Sequence, residues 1–140
     1  MTGVTKQNNF DDAGKLLLRA ALSILILFHG IAKLSGGVGF ITGLVAQAGL
    51  PPALGYLVLV GEVAAPLLVL FGLWARAGAL VIAFNMIVAL LLVHTGDLFK
   101  LNETGGWAVE LQMLFLASAV AIALLGAGRY SIQGAGKRWN

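Results

Sequence analysis

The chain has 140 residues, 59% of them hydrophobic and 11% charged, with a mean hydropathy of +0.94. A soluble domain of that length has too little polar material to cover itself in water, so one small membrane domain is expected. The lack of cysteine excludes disulfides, thiolate metal sites and cysteine nucleophiles, and the net charge of +3 does not point to nucleic acid, because the basic residues flank apolar runs instead of forming one patch.

In chain order, residues 1–15 read as a polar cytoplasmic tail, followed by a membrane domain over residues 16–126. The first apolar run, about 16–34, contains Arg19, His29 and Lys33. Its leader carries Asp11 and Asp12 and no small-residue cleavage site precedes Lys33, so it is expected to be a retained helix, not a signal peptide. The uncharged segment after it is rich in glycine. Within it Phe40, Ile41, Leu44 and Val45 recur at helical spacing, which predicts a short interfacial helix between the first two spans. The second span, 55–74, holds one carboxylate, Glu62, and one proline, Pro66, in an otherwise apolar run. Ala75-Arg76-Ala77 then turns into a third span at about 78–94; a polar, turn-rich stretch leads to the fourth, 107–125; and residues 127–140 form a basic cytoplasmic tail.

Four spans put both chain ends on one side of the bilayer. Lys6, Lys15, Arg19, Arg76, Arg129, Lys137 and Arg138 fall on that side, and only Lys33 and Lys100 on the other. That bias makes both termini cytoplasmic. The expected fold is an all-α, integral-membrane four-helix bundle.

Orientation then fixes depth. His29 and Lys33 come near the outer end of the first helix, while Glu62 lies roughly 10 Å below the outer surface at 1.5 Å per residue. Glu110 is about one turn into the fourth helix, and His94 closes the third on the same side. His29 and Lys33 are four apart and share a stripe with Arg19, Leu22 and Ile26. Glu62 shares one with Leu59, Pro66 and Val69, and Glu110 one with Met113, Ala117 and Ala121, where the alanines permit close helix approach. Asn85 and His94 are nine apart and so fall on opposite faces of an unbroken helix. A carboxylate within a span costs a few kcal/mol unless answered, so Glu62 and Glu110 are expected either to take up protons or to pair with Lys33 or a charged His29. Glu62, Glu110 and His29 are the candidate proton carriers, and Lys33, His94, Asn85 and Pro66 the candidate ligand-binding residues. Such a pocket would suit the head group of a quinone or a similar small lipophile.

Simpler roles compete at each position. The carboxylates could pair with Lys33 only to fix helix register. Arg19, Arg76 and Arg129 are read as cytoplasmic anchors, Arg19 with a lipid phosphate. Asn85 would join helices, and Trp74, Trp107 and Tyr130 would mark the interfaces. Neither haem nor a metal ion is expected, since the facing of His94 is not fixed by the helical spacing and no Glu-x-x-His pair exists.

Several of these residues fall in an order that resembles the bacterial DoxX family. They are Arg19, Phe28-His29-Gly30 with Lys33-Leu34, Gly49-Leu50-Pro51, Gly61-Glu62, Gly72-Leu73 with Arg76, Glu110, and Gly126, Gly128 and Tyr130-Ser131. The family commonly has an acid after that serine, where this chain has Gln133. The resemblance implies a four-helix protein of the bacterial inner membrane. Some relatives are linked to quinone-dependent sulfur oxidation, in which this subunit works with a second one, and others to membrane complexes that handle oxidative stress. The expected function is therefore a membrane subunit of a redox system, in contact with lipid and with a partner redox protein or further copies of itself. The alternatives are a non-catalytic scaffold for a partner enzyme and an oligomeric small-solute transporter.

Overall fold

The computed structural model describes residues 9–140, which form helices and turns with a single bridge between Leu101 and Trp107. Helix α1 runs Asn9–Gly36. It starts earlier than the expected span because Asp11 and Asp12 sit in its first turn, where carboxylates favour a helix N-terminus. The polar tail expected over 1–15 is thus helical from Asn9, and the rest of it lies outside the described residues. Asp12, Arg19, Leu22, Ser23, Ile26 and Gly30 are its buried stripe. Helix α2, Gly39–Gln47, is the short helix foreseen between the first two spans.

The second span, Pro52–Phe71, changes conformation along its length. It opens with a 3₁₀ turn (Pro52–Leu57), passes through a π turn (Val60–Ala64) and ends as α3 (Ala65–Phe71). Pro66 explains the π turn. Proline has no N–H to give the Glu62 carbonyl and its ring crowds that position, so the helix widens and Ala65 N–H reaches back to Val60 O. Gly72, at φ +66, closes the span. Helix α4 begins at Ala75, so the turn is Gly72-Leu73-Trp74, three residues earlier than expected. It ends at Leu92, and α5 covers Glu110–Leu125. Trp107 belongs to the loop between α4 and α5, where its indole donates to Leu98 O at 2.8 Å.

α1, Pro52–Phe71 and α4 are each long and apolar enough to cross a membrane, and α5 is a shorter apolar helix of 16 residues. α4 packs on α3 and α5, and α1 on the same two, closing a four-helix bundle around Leu22, Ile26, Val69, Ile82, Phe115 and Ile122. Large apolar side chains such as Phe28, Phe84, Leu114 and Leu124 remain exposed, as lipid contact requires. The protein is a multi-pass membrane protein.

The C-terminal segment is a fitted plug, not a loose tail. Ile132 and Gln133 donate backbone N–H groups to Phe71 O and Gly72 O, and Asn140 bonds Ser131 and Gly134 O. Arg129 donates its backbone N–H to Asp12, which is 1% exposed, so the start of α1 and the end of the chain meet. Arg19 is wholly buried and donates to Val69 O, Leu70 O and Tyr130 O. It is therefore no lipid-phosphate anchor: its cation answers the carbonyl end of α3 inside the bundle. Arg76 likewise serves the end of α5 through Ala123 O.

Close packing of α1 on the π turn depends on Gly30, where a Cβ would strike the Glu62 carbonyl and the Val63 side chain. Gly30→Ala should push the two helices apart, at about 1–3 kcal/mol for an overpacked core position. A lower melting temperature of the purified protein in detergent would register it.

Candidate functional site

The site forms where the bundle opens away from the plug. A cavity of ≈ 650 Å³ is enclosed by α1, α2, the second span, α4 and the first turns of α5. Its walls are largely aliphatic and aromatic, with Phe40, Ile41, Leu44 and Val45 of α2 across the top. Val60, Val81 and Phe84 line it and are also exposed, so it opens between the second span and α4.

Into this apolar space project His29, Lys33, Glu62, Asn85, His94 and Gln112. Lys33 Nζ donates to Glu62 Oε2 at 2.6 Å, the pairing the helical spacing allowed for. Pro66, through the π turn that carries Glu62, and Gly30, through the close approach it allows α1, together set this pair. The Glu62 side chain is 8% exposed and that of Lys33 24%. His29 meets the edge of Phe115 with ring centroids 6.0 Å apart and has no hydrogen-bond partner among the described residues. Asn85 abuts Gly61, where a Cβ would overlap its side chain, and its Nδ2 is buried without a partner.

His94 lines the cavity together with Asn85, although the two are nine residues apart. α4 ends at Leu92, and the 3₁₀ turn Thr95–Asp97 swings His94 round, so facing across an unbroken helix does not apply. One ring nitrogen lies 3.1 Å from Gln112 Nε2 and the other 3.6 Å from Asp97. Hydrogen bonds from Lys100 and His94 hold the exposed Asp97 carboxyl below the usual carboxylate range. Gln112 was not singled out in the sequence. Its signal was there, since it is the one amide in α5 and shares a face with Phe115 and Ala119. Its Oε1 is buried and unpartnered.

Two expected site residues are elsewhere. Glu110 lies outside the cavity, exposed at the first residue of α5, where it accepts from Asn102 Nδ2 at 3.3 Å beside Gly106. Helix α5 turns Phe115, Ala119 and Ile122 inward, so the face with Glu110, Met113, Ala117 and Ala121 points away. Pro66 is buried in the core and acts on the site through the π turn instead of lining it.

The DoxX family model matches residues 14–95. This chain is a member of the DoxX family. A curated relative, named "Putative oxidoreductase CatD", from Bacillus subtilis (strain 168), is 30% identical over 119 residues, covering 85% of this chain and 84% of that protein. No solved structure matches.

The DoxX-like residues fall into two groups in space. His29, Gly30, Lys33, Gly61 and Glu62 build the cavity or the helix approach beside it. Arg19, Gly72, Tyr130 and Ser131 build the plug: a Cβ on Gly72 would strike Ser131 and Arg19. Gln133, standing where relatives commonly have an acid, accepts the Trp74 N–H at 2.8 Å through its amide oxygen, a bond a carboxylate would also make.

Proposed function

We propose that this DoxX-family protein is a membrane subunit of a redox system whose cavity binds the head group of a quinone or similar small lipophile at the outer leaflet, with both termini cytoplasmic in a bacterial inner membrane. One observation carries the proposal: an apolar cavity of ≈ 650 Å³ receives an ion pair together with two buried polar atoms that have no protein partner, Asn85 Nδ2 and Gln112 Oε1, and the exposed His29 also lines it. Buried polar groups are as a rule hydrogen-bonded, and unpaired ones that face an open apolar cavity can be met there by a ligand's polar atoms. Lys33 and Asn85 offer donors to carbonyl oxygens, Gln112 an acceptor to a hydroxyl, and the aliphatic walls hold a ring or tail. His29 and Glu62 are within the same cavity and exchange protons with a bound head group, His29 as the group without a competing bond. A quinone, when bound, supplies the two-electron, two-proton couple; the electrons come from a partner redox protein. The name of the curated relative, an oxidoreductase, supports a redox role.

Titration of a short-chain quinone into the purified full chain, followed by fluorescence or calorimetry, tests this. Asn85→Leu should weaken binding by about tenfold, the worth of one buried hydrogen bond, and His29→Leu, at an exposed residue of the wall, by less. Glu110→Gln, outside the cavity, should leave it unchanged. No saturable binding, or equal affinity in all four proteins, would exclude the cavity as the site.

A further inference from the structure

We infer that the opposite end of the bundle holds a second binding site, for the phosphate of an anionic phospholipid. This site is independent of the cavity and of its proposed ligand. Lys15, Arg76, Lys137 and Arg138 converge on a recess of ≈ 350 Å³ whose other walls include Leu125 and Gly126. The recess exists because the C-terminal plug folds back over the ends of α1, α4 and α5. That brings cations together from α1, α4 and the last residues of the chain, which lie far apart in sequence.

The charge in this recess is answered from within only in part, by the Asn140 backbone oxygen that accepts from Arg76 Nε at 3.2 Å. None of the four cations forms an ion pair with a carboxylate among the described residues. The acidic side chains nearby are Asp12 and Asp11. Asp12 is occupied by the Arg129 N–H at 3.0 Å and lies 3.8 Å from the Arg129 guanidinium. Asp11 precedes Lys15 by four residues on α1 and is exposed. Arg76 spends Nε and Nη1 on Asn140 O and Ala123 O, which fixes the guanidinium and leaves Nη2 toward Gly126. Arg138 lies 5.8 Å over the Trp139 ring, which restrains it as well. Held cations at several points around a recess suit a phosphate group, which offers several acceptor oxygens and at least one full negative charge.

Position selects a lipid as the source of that phosphate. Leu125 lines the recess and is exposed, as is its neighbour Leu124, so an apolar track on α5 leads directly from the recess. Trp74, Tyr130 and Trp139 are exposed at the same end, and such residues sit at the head-group level of a bilayer. A head group in the recess thus has its acyl chain on the lipid-facing side of α5. A free anion would use the cations and ignore the leucines.

Native mass spectrometry of the full chain in mild detergent, titrated with phosphatidylglycerol or phosphatidylcholine, decides the matter. Phosphatidylglycerol should be retained preferentially, and Lys137→Gln/Arg138→Gln should weaken its binding about tenfold or more, with Lys15→Gln extending the loss. Lys100→Gln removes a cation from the opposite end and should have no effect. A melting temperature unchanged in these surface variants would tie the loss to the recess. Equal retention of the two lipids, an equal loss in Lys100→Gln, or displacement of phosphatidylglycerol by millimolar inorganic phosphate would each overturn the assignment.

Discussion

Arg19→Met is expected to lower stability by about 3–5 kcal/mol, the largest loss from any single substitution outside the cavity. The guanidinium is wholly buried, yet no carboxylate faces it among the described residues. It is held by carbonyl oxygens: Val69 O at 3.1 Å, Leu70 O at 3.4 Å, and Tyr130 O. Two of these are in the last turn of α3, where the helix dipole is negative and only Val69 O has a backbone donor, the Gly72 N–H at 3.2 Å. The third belongs to the C-terminal plug. Methionine fills much of the volume and donates nothing, so Leu70 O and Tyr130 O would lose the guanidinium donor and Val69 O would keep only the Gly72 N–H. Arg19→Lys should recover only part of the loss. A lysine can reach one acceptor cluster as a point charge, but it lacks the planar fork that spans two chain segments. Thermal unfolding in detergent should show Arg19→Met lowest, roughly 10 °C or more below the parent, and Arg19→Lys between them. Limited proteolysis should at the same time cut the released segment after Gly126. Equal melting temperatures for the three proteins would show that the carbonyls are satisfied in another way.

The role of Arg19 was written in the sequence but easily misread. A lone arginine in a span suggests snorkelling to the head groups, yet it shares a stripe with Leu22 and Ile26, and that stripe turned out to be the core face. Helix α1 was legible because its polar residues interrupt an apolar run at helical spacing. Helix α5 was not, because it is apolar almost all round. With no period to read, Glu110 was taken as the inward marker when Gln112, two residues on, faced inward. His94 and Asn85 both line the cavity for a different reason: the facing rule assumes a continuous helix, and α4 stops two residues before His94. Pro66 announced a distortion, but only coordinates show that the distortion is a π turn that sets Glu62 against Lys33. The bundle and half of the site follow from spacing, while the rest depends on where helices end.

The Lys33–Glu62 pair separates a binding role from a purely structural one. Lys33→Met leaves a carboxylate that is 8% exposed facing an apolar cavity with no cation, which should cost about 3 kcal/mol. Glu62→Gln should cost less, about 1 kcal/mol, because the Lys33 side chain is 24% exposed and can extend toward the outer surface. Removing both charges with Lys33→Met/Glu62→Leu should restore melting to near the parent value, since a well-packed apolar pair replaces an ion pair at little net cost. The same double variant should still fail to bind a quinone with parental affinity, because a donor and a proton-exchanging group have both left the cavity. Stability and binding would then part company, which a register-fixing ion pair cannot produce. Recovery of both in the double variant would reduce the pair to a helix fastener and remove Glu62 from the proposed chemistry. Loss of both would mean that the cavity itself collapses without its charges, and ligand retention by His29→Leu, in which the pair is intact, would then decide whether the remaining polar groups suffice.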